Sequence, residues 1–378
     1  MMCNVIVQRN TFAESLAIVG RAAGMHGQLP ILSNLLLSKE EDQLRLSATD
    51  LTLGISVWMD ARMDGDLELT LPARTLADVV NTLTEPEIVF SVDGKPEASL
   101  ENGTYTGTIK GLEASEFPAI STFDVSEGVT IEASIFKEMI QNVSFAASMN
   151  DNRPVLTGVL LNLDGKTASM VATDGFRLAI YEAELLTTLG KNLLNIPACA
   201  LKEVVRILGT TRAKNVTLFS PKEGNQVVLR CENVQILSQL IDGKYPDYQA
   251  ILPKGYKTRT VIATSDLLNA CKQASVIARE GNNVVRVHLQ PGPDQTGKIR
   301  LLAQSDETGA STIELAASVE GQELECAFNV KYMIDGLEAI STGNVVIETN
   351  AHNTPAVIHS TDKEGLLYLL MPMQIEGK

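Results

Sequence analysis

Residues 168–180 read Ala-Ser-Met-Val-Ala-Thr-Asp-Gly-Phe-Arg-Leu-Ala-Ile, and two related stretches occur elsewhere in the chain. Residues 44–55 read Leu-Arg-Leu-Ser-Ala-Thr-Asp-Leu-Thr-Leu-Gly-Ile, and residues 299–309 form a weaker copy, Ile-Arg-Leu-Leu-Ala-Gln-Ser-Asp-Glu-Thr-Gly. The acids shared by the three copies are Asp50, Asp174 and Asp306. They are 124 and 132 residues apart (174 − 50 and 306 − 174). Because so long a period corresponds to a whole domain rather than to a solenoid unit, the sequence predicts three similar domains related by symmetry.

The length and composition agree with three ordinary globular domains. At 378 residues the chain is too long for one core, and it suits domains over residues 1–125, 126–254 and 255–378. The five cysteines are scattered and include no Cys-x-x-Cys pair, which indicates reduced thiols. The chain shows no signal-peptide pattern at its start and no stretch of about 18 apolar residues. We therefore expect a cytoplasmic protein that makes no membrane contact.

Each predicted domain contains two copies of a strand followed by a short helix. The six segments are 5–19, 69–83, 129–140, 194–208, 260–272 and 326–340. Side-chain oxygens at Thr11, Ser134 and Ser265 predict the N-caps of the first helix in each domain. The remaining sequence alternates like strands, so the fold class is α+β, with antiparallel sheets and two short helices per domain. Since unpaired sheet edges favour association, the sheets could join edge to edge into an outer wall, with the helices lining one face.

Motifs that would indicate an active site are absent. The four histidines form no pair at metal-ligand spacing, and neither Gly-x-Ser-x-Gly nor Gly-x-Gly-x-x-Gly occurs. Gly165-Lys166-Thr167 resembles the end of a phosphate-binding loop, but residue 160 is leucine where that loop needs glycine. The repeated Asp50, Asp174 and Asp306 lie in turn-forming triplets, so we interpret them as structural. The sequence therefore predicts no enzyme activity, no metal and no cofactor.

Dispersed segments of the chain resemble the bacterial DNA polymerase III beta subunit, the sliding clamp, and the resemblance covers essentially the whole sequence. Its most specific pieces are Leu29-Pro-Ile-Leu-Ser-Asn-Leu-Leu-Leu37, Asn152-Arg-Pro-Val-Leu-Thr-Gly158, Ala172-Thr-Asp-Gly-Phe-Arg-Leu-Ala179, Asp242-Gly-Lys-Tyr-Pro-Asp-Tyr248, Phe328-Asn-Val-Lys-Tyr332 and Met371-Pro-Met373. The resemblance implies a head-to-tail homodimer that forms a closed ring of six domains, with twelve helices lining the hole. Such a ring encircles duplex DNA and acts as a processivity factor.

The resemblance also implies where the two chains of the dimer meet. In this family the first domain of one chain contacts the third domain of the other. By similarity, the strand Tyr105–Ile109 would lie at that contact, and Ile109, Val276 and Ile277 are assigned to the dimer interface.

An acidic chain can serve DNA if its excess acid lies away from the DNA. The net charge is −15, from 31 basic and 46 acidic residues. At and just after the predicted helices, however, eight basic side chains stand against seven acidic ones, so almost all of the excess acid lies elsewhere. The basic ones are Arg21, Arg74, Lys137, Lys202, Arg206, Lys272, Arg279 and Lys331, and the acidic ones are Glu14, Asp78, Glu138, Glu203, Asp266, Asp335 and Glu338. Weak, salt-sensitive phosphate contacts suit a clamp that is retained by topology. The residues assigned to DNA contact are His26, Arg21, Arg74, Asn150, Lys202 and Arg206. Pro154 and Val155 stand where some relatives have an aromatic pair.

Clamps of this family bind a short linear peptide motif in an apolar cleft between the second and third domains. Methionine suits such a cleft because one flexible side chain adapts to many partners, and extended peptides dock through a few anchors. Phe176 stands where a histidine is common in relatives. The positions that match the family cleft are Leu156, Thr173, Gly175, Phe176, Arg177, Leu178, Pro246, Ile251, Asn329, Tyr332, Met371, Pro372 and Met373.

The sequence thus predicts a non-enzymatic clamp whose partners are duplex DNA, the DNA polymerase III alpha subunit and a clamp loader that supplies the ATP hydrolysis. Other polymerases and repair proteins that carry the clamp-binding motif are further expected partners. Two alternatives stay open. An enzyme on a three-domain scaffold would lose turnover when Asp174 is changed, whereas a clamp would lose only stability. A paralogue with the same ring and fewer partners would differ in peptide binding.

Overall fold

The computed structural model describes residues 3–24, 29–150, 152–221, 224–340, 343–362 and 364–374. In this part of the chain, one order of elements recurs three times: a strand, a helix, several strands, a second helix and further strands. The first occurrence comprises β1 (Cys3–Gln8), α1 (Arg9–Val19), β2 (Asn34–Glu40), β3 (Gln43–Thr49), β4 (Leu53–Asp60), β5 (Arg62–Met63), β6 (Glu68–Pro72), α2 (Ala73–Thr82), β7 (Glu87–Val92), β8 (Glu97–Asn102) and β9 (Tyr105–Lys110).

The second occurrence has fewer and longer strands. Its two longest strands, β11 and β12, form one hairpin, and each takes the place of separate shorter strands in the first occurrence. The antiparallel pairing of these two strands shifts register on both sides of Gly165. The elements are β10 (Val129–Glu132), α3 (Ala133–Val143), β11 (Gly158–Thr173), β12 (Arg177–Pro197), α4 (Ala198–Thr210), β13 (Asn215–Phe219), β14 (Gln226–Cys231) and β15 (Val234–Gln239).

The third occurrence follows the pattern of the first. Its elements are β16 (Thr258–Ala263), α5 (Thr264–Ala278), β17 (Val284–Pro291), β18 (Thr296–Ser305), β19 (Gly309–Gly321), β20 (Leu324–Asn329), α6 (Val330–Ile340), β21 (Asn344–Thr349), β22 (Ala356–Ser360) and β23 (Leu366–Leu370). The predicted α+β class with antiparallel sheets and two helices per domain is confirmed for the described residues.

The chain folds into two compact units. One contains Met1–Lys137 and Cys199–Leu240, and the other contains Glu138–Ala198 and Ile241–Lys378. The first unit has a five-stranded sheet, in the order β5-β1-β7-β8-β9, and an eight-stranded sheet, in the order β10-β13-β14-β15-β4-β3-β2-β6. The second unit has a ten-stranded sheet, in the order β11-β12-β23-β22-β21-β16-β19-β18-β17-β20.

Sheets of successive repeats join edge to edge at two places, as the sequence predicted. In the first unit, β15 pairs with β4 in antiparallel register from Val234 opposite Val57 to Ser238 opposite Leu53. In the second unit, β23 pairs with β12 through residues 366–370 and 177–181. We call these pairings the first seam and the second seam. Each seam turns two strand edges into one continuous sheet.

The predicted helix N-caps are wrong. Helices α1, α3 and α5 begin directly after strands β1, β10 and β16, so Thr11, Ser134 and Ser265 lie inside the first turn. Backbone carbonyl groups from distant segments satisfy the first amide instead. The N–H groups of Arg9, Ala133 and Thr264 donate to the carbonyl oxygens of Pro86, Lys214 and Gly343 at 2.8, 2.8 and 3.1 Å. A remote backbone acceptor therefore replaces the side-chain cap in all three repeats.

The core of each unit lies between its helices and its sheets. In the first unit, Phe12 of α1 is buried and stacks on Phe90 of β7, with ring centroids 5.9 Å apart. In the second unit, Tyr368 of β23 is fully buried against α6, where a side chain at Gly336 would bring a Cβ within 2.4 Å of its ring. The glycine therefore lets helix α6 approach the strand that forms the second seam.

Candidate functional site

The turn that joins β11 to β12 begins the candidate site. The carboxylate Oδ1 of Asp174 accepts hydrogen bonds from the N–H groups of Phe176 and Arg177 at 2.9 and 3.1 Å. The hydroxyl of Thr173 accepts from the N–H of Gly175 at 3.0 Å and donates to the carbonyl of Arg177 at 2.6 Å. Gly175 has φ +92°, and a Cβ there would lie 2.9 Å from Nη1 of Arg153. The structural role predicted for Asp174 is confirmed.

The same turn recurs at Asp50, and a variant of it occurs at Asp306. Asp50 Oδ1 accepts from the N–H groups of Thr52 and Leu53 at 2.9 and 2.7 Å. In the third repeat the hydroxyl of Ser305 accepts from the next turn amides, those of Glu307 and Thr308, both at 3.3 Å. The acid that the sequence copies share therefore forms the turn in the first two repeats, and the preceding serine does so in the third.

Arg177 is a buried cation at the start of the second seam. Its Nε donates to Asp174 Oδ2 at 3.1 Å, its Nη2 donates to the carbonyl of Phe145 at 2.8 Å, and its Nη1 donates to Asp335 on α6. The guanidinium carbon also lies 4.3 Å from the ring centre of Tyr332. Burial lowers the pKa of Arg177, but the hydrogen bond to Asp335 and the nearby acids outweigh burial and raise it. The arginine is therefore firmly charged and fixed by two repeats at once.

An apolar cluster packs on the face of β12 and β23 opposite this cation, because Leu178 follows Arg177 in the strand and pairs with Leu369. Leu178 is fully buried in it, and Met371, just after β23, packs against it while partly exposed. The N–H of Met371 donates to the carbonyl of Phe176 at 2.9 Å, which ties the end of the chain to the turn. The buried members are Leu160, Val171, Leu178, Ile180, Tyr245 and Leu369, and the partly buried ones are Val155, Tyr248, Leu252, Leu367 and Met371. This apolar cluster is compact, with buried members at its centre and partly buried ones around them.

A cavity of about 860 Å³ lies on the far side of Met371. Three predicted site residues, Met371, Pro372 and Met373, line it, and the N–H of Met373 donates to the carbonyl of Ala327 at 2.8 Å. The rest of the wall carries both charges and apolar groups. The other lining residues are Arg286, Glu323, Leu324, Glu325, Cys326, His352, Asn353 and Gln374. Residues 371–373 therefore lie between the apolar cluster and a cavity whose wall is partly polar and partly apolar, which we call the C-terminal cavity.

The other predicted cleft residues fall into two groups. Leu156 is buried in the 3-10 turn Pro154–Thr157, and Asn329 ends β20, where its Oδ1 accepts from the N–H of Lys331 at 3.0 Å. Phe176, Pro246 and Ile251 are exposed, with Phe176 58% and Ile251 46% exposed. Exposed apolar side chains are available for contact with another molecule.

Sequence reasoning missed several residues of this site. Asp335 is three residues after Tyr332 on α6, so both fall on the helix face that meets Arg177. That spacing was a usable signal. Arg286 and His352 are distant in sequence from the predicted positions, and only the fold brings them to the C-terminal cavity.

Four of the residues assigned to DNA contact belong to the first unit. Arg21 lies in the 3-10 turn after α1, Arg74 lies on α2, and Lys202 and Arg206 lie on α4. All four side chains reach solvent. Asn150 is exposed in the second unit, where its Oδ1 accepts from the N–H of Asn152 at 2.9 Å. His26 lies outside the described residues.

The residues assigned to the dimer interface differ in exposure. Ile109 of β9 is buried within its own domain, whereas the neighbouring Thr108 and Lys110 are exposed. On α5, Val276 is 65% exposed and Ile277 is partly buried. Any contact that Ile109 makes with another chain therefore involves the backbone of β9 rather than the isoleucine side chain.

Six helices in the described residues, and antiparallel sheets that join from one domain to the next, define a three-domain sliding clamp. Three sequence models describe successive parts of one protein, the DNA polymerase III beta subunit: its N-terminal domain matches residues 3–121, its central domain 130–247 and its C-terminal domain 249–374. The chain belongs to this family. It is therefore a beta sliding clamp, a processivity factor without catalytic activity of its own.

Similar proteins match over nearly their full length. The beta sliding clamp of Synechococcus elongatus is 29% identical over 377 residues, covering 99% of this chain and 100% of that protein. The beta sliding clamp of Bacillus subtilis is 26% identical, covering 97% and 98%. Among solved structures, the DNA polymerase III beta subunit of Thermotoga maritima has a TM-score of 0.91 and 26% identity, covering 99% and 100%. That of Pseudomonas aeruginosa has a TM-score of 0.91 and 27% identity, covering 98% and 100%.

None of the helices in the described part of the chain combines the length and the apolar character needed to cross a bilayer.

Proposed function

We propose that two copies of this chain form a head-to-tail ring that encircles duplex DNA and tethers the replicative polymerase to it. The observation that carries the proposal is the pattern of strand edges. The last strand of the second repeat, β15, pairs with β4, and the last strand of the third repeat, β23, pairs with β12. This pattern leaves β9, the last strand of the first repeat, at the edge of its sheet.

The matching acceptor edge is β19. It follows β18 in the third repeat as β4 follows β3 in the first, and no strand within the described residues pairs with the outer side of residues 309–317. Two copies related by a two-fold axis can therefore pair β9 of each with β19 of the other. The two edges that correspond to those joined at the first and second seams are then paired, and the assembly closes with six domains.

The hydrogen-bonding register of β9 supports this pairing. The two-residue loop 103–104 makes Asn102 and Tyr105 the first hydrogen-bonded pair with β8. In the alternation that follows, the amides of Thr106, Thr108 and Lys110 point away from β8 and are available to a second chain. Ile109 points into its own core, and the exposed Val276 lies on α5 of the repeat that contains β19.

The ring accounts for DNA binding by an acidic chain. Topology retains the clamp, so the contacts of Arg21, Arg74, Lys202, Arg206, His26 and Asn150 with the duplex can be weak and independent of sequence. Weak contacts let the clamp slide. Opening the ring for DNA to enter is then the work of a clamp loader, which couples it to ATP hydrolysis.

The peptide cleft of the second unit holds the partners. An extended segment from the DNA polymerase III alpha subunit, or from another polymerase or repair protein, would place apolar anchors on the apolar cluster beside Leu178. It would then cross Met371 towards the C-terminal cavity, with Phe176 and Tyr332 at its margins. The free thiols of all five cysteines agree with a cytoplasmic location, which is part of the same proposal.

Retention on nicked circular DNA tests the ring. The clamp is loaded with a compatible loader, and the protein that stays bound is measured before and after a restriction enzyme linearises the circle. We expect stable residence on circles and rapid loss after linearisation. Thr108→Pro, which removes one outward amide of β9, should give monomers and no retention. Thr108→Val keeps that amide and should behave as the unmodified chain.

Two results would count against the ring. Equal retention on circles and on linear DNA would indicate ordinary surface binding. A dimer that persists in Thr108→Pro would remove β9 from the interface.

A further inference from the structure

A carboxylate stands between two of the arginines assigned to DNA contact. Glu203 Oε2 lies 3.4 Å from Nη1 of Arg21, which belongs to the first repeat. Its other oxygen, Oε1, accepts a hydrogen bond from Nη1 of Arg206, one turn further along α4. The Glu203 side chain is only 17% exposed, whereas those of Arg21 and Arg206 are 36% and 58% exposed. The acid lies deeper than the two cations, and it uses both of its oxygens to bind them.

This arrangement resembles the binding of a phosphate. A carboxylate offers two oxygens to guanidinium groups in much the same geometry as a DNA phosphate. Each arginine that binds Glu203 has one N–H fewer for DNA, and its charge is partly neutralised. Because Arg21 and Arg206 both reach solvent, an ion pair of either with Glu203 contributes only about 0–1 kcal/mol, so a DNA phosphate can compete with the acid for them.

We propose that Glu203 is an internal competitor for the DNA backbone, which weakens the contact of Arg21 and Arg206 with phosphate and so keeps the clamp mobile on DNA. The inference rests on the proposed function, because it requires the duplex to pass this surface. It adds a residue that sets the strength of the contact.

The test compares Glu203→Gln with Asp78→Asn, a matched control. Both variants raise the net charge by one unit, but the Asp78 carboxylate lies 3.9 Å from Arg74, with the two side chains 74% and 92% exposed. Affinity of the intact dimer for a short duplex is measured between 50 and 200 mM salt. We expect Glu203→Gln to raise affinity by on the order of tenfold at 50 mM, and to steepen the salt slope by about 0.9 for each arginine that gains a phosphate. Asp78→Asn should have a much smaller effect.

A double-mutant cycle separates release of the arginines from a change in overall charge. Arg21→Gln should cost little affinity in the unmodified chain, where Glu203 occupies that arginine, and much more in the Glu203→Gln background. Unfolding temperatures of all variants establish that the fold is intact.

Two outcomes would overturn the inference. If Glu203→Gln lowers affinity while the fold is intact, Glu203 positions the arginines rather than competing for them. If it has the same effect as Asp78→Asn, the partly buried, two-oxygen contact of Glu203 gives this acid no special role as a competitor. Retention on circular DNA is scored in parallel with the same proteins. A clamp that is retained but shows either outcome loses this inference and keeps the ring, whereas a clamp that is not retained loses the ring itself.

Discussion

The first and second seams begin at the same turn but carry different side chains after it. Asp50 and Asp174 each accept two backbone hydrogen bonds at 2.7 to 3.1 Å, and a threonine hydroxyl precedes each acid. At both seams the last strand of the following repeat pairs with the strand that leaves the turn. The backbone arrangement is therefore shared, and it requires only the Thr-Asp pair.

The side chains after the acid decide what each seam can do. The first seam has Leu51, with φ +78°, followed two residues later by the buried Leu53. The second has Gly175, followed by the exposed Phe176 and by Arg177, which is buried between acids and rings. At the first seam, the buried Leu53 makes ordinary apolar packing contacts. At the second seam, Gly175 is followed by an exposed apolar side chain, Phe176, and then by the fixed cation Arg177. The proposed peptide site lies at this seam.

The largest expected difference between the seams follows from removing the charge of the acid. Asp174→Asn leaves the buried Arg177 without one of its two carboxylate partners, and breaking a buried ion pair costs about 3–5 kcal/mol. Asp50→Asn keeps an oxygen that accepts the turn amides, so it should cost less than about 1 kcal/mol. Amide hydrogen exchange in the strands of each seam measures the two losses separately.

Equal losses at the two acids would contradict a special role for Arg177. If Asp174→Asn instead left both seams stable, the charge of Arg177 would be satisfied by Asp335 alone. Arg177→Met in the same background then reports whether the cation itself is needed.

An exchange at the position after the acid should have opposite effects at the two seams. Gly175→Ala places a Cβ 2.9 Å from Arg153 Nη1 at φ +92°, and should destabilise the chain by about 1–2 kcal/mol. Leu51→Gly removes a leucine from φ +78°, and should stabilise it by up to about 1 kcal/mol after the entropy of glycine in the unfolded chain is counted. Urea unfolding measures both changes in the free energy of unfolding. If the two variants change stability in the same direction, the two turns differ more than their hydrogen bonds indicate.

The smallest expected difference concerns the thiols of the two units. Burial raises the pKa of Cys231, in the first unit, and of Cys326, beside the C-terminal cavity, to about 11 each. Because the thiolate is the reactive form, both should resist alkylation at pH 8 and react faster as the pH rises towards 11. The exposed Cys199 should react first and serves as the internal standard. Faster labelling of Cys326 than of Cys231 at pH 8 would show that the cavity opens more readily than the interior of the first unit.

Much of the fold could be predicted from local sequence patterns. Three copies of one motif predicted three domains, alternation predicted antiparallel strands, and the turn role of Asp174 followed from its triplet. Helix starts could not be predicted, because the acceptors for the first amides are carbonyls of Pro86, Lys214 and Gly343, far along the chain. The cleft residues assigned by resemblance remain predictions of function, although the structure brings Leu178 and Met371 into one apolar cluster.

The sequence by itself determined the repeat, the class of the domains and the turns, because periodicity and short-range hydrogen bonding act over a few neighbouring residues. Only the tertiary structure decided which charges meet. Arg177 and Asp335 are 158 residues apart and Arg21 and Glu203 are 182 apart, yet each pair is in contact. Long-range pairs of this kind depend on how sheets join and helices pack, which no local pattern records. The fixed cation of the second seam and the restrained arginines of the first unit therefore appear only in the folded chain.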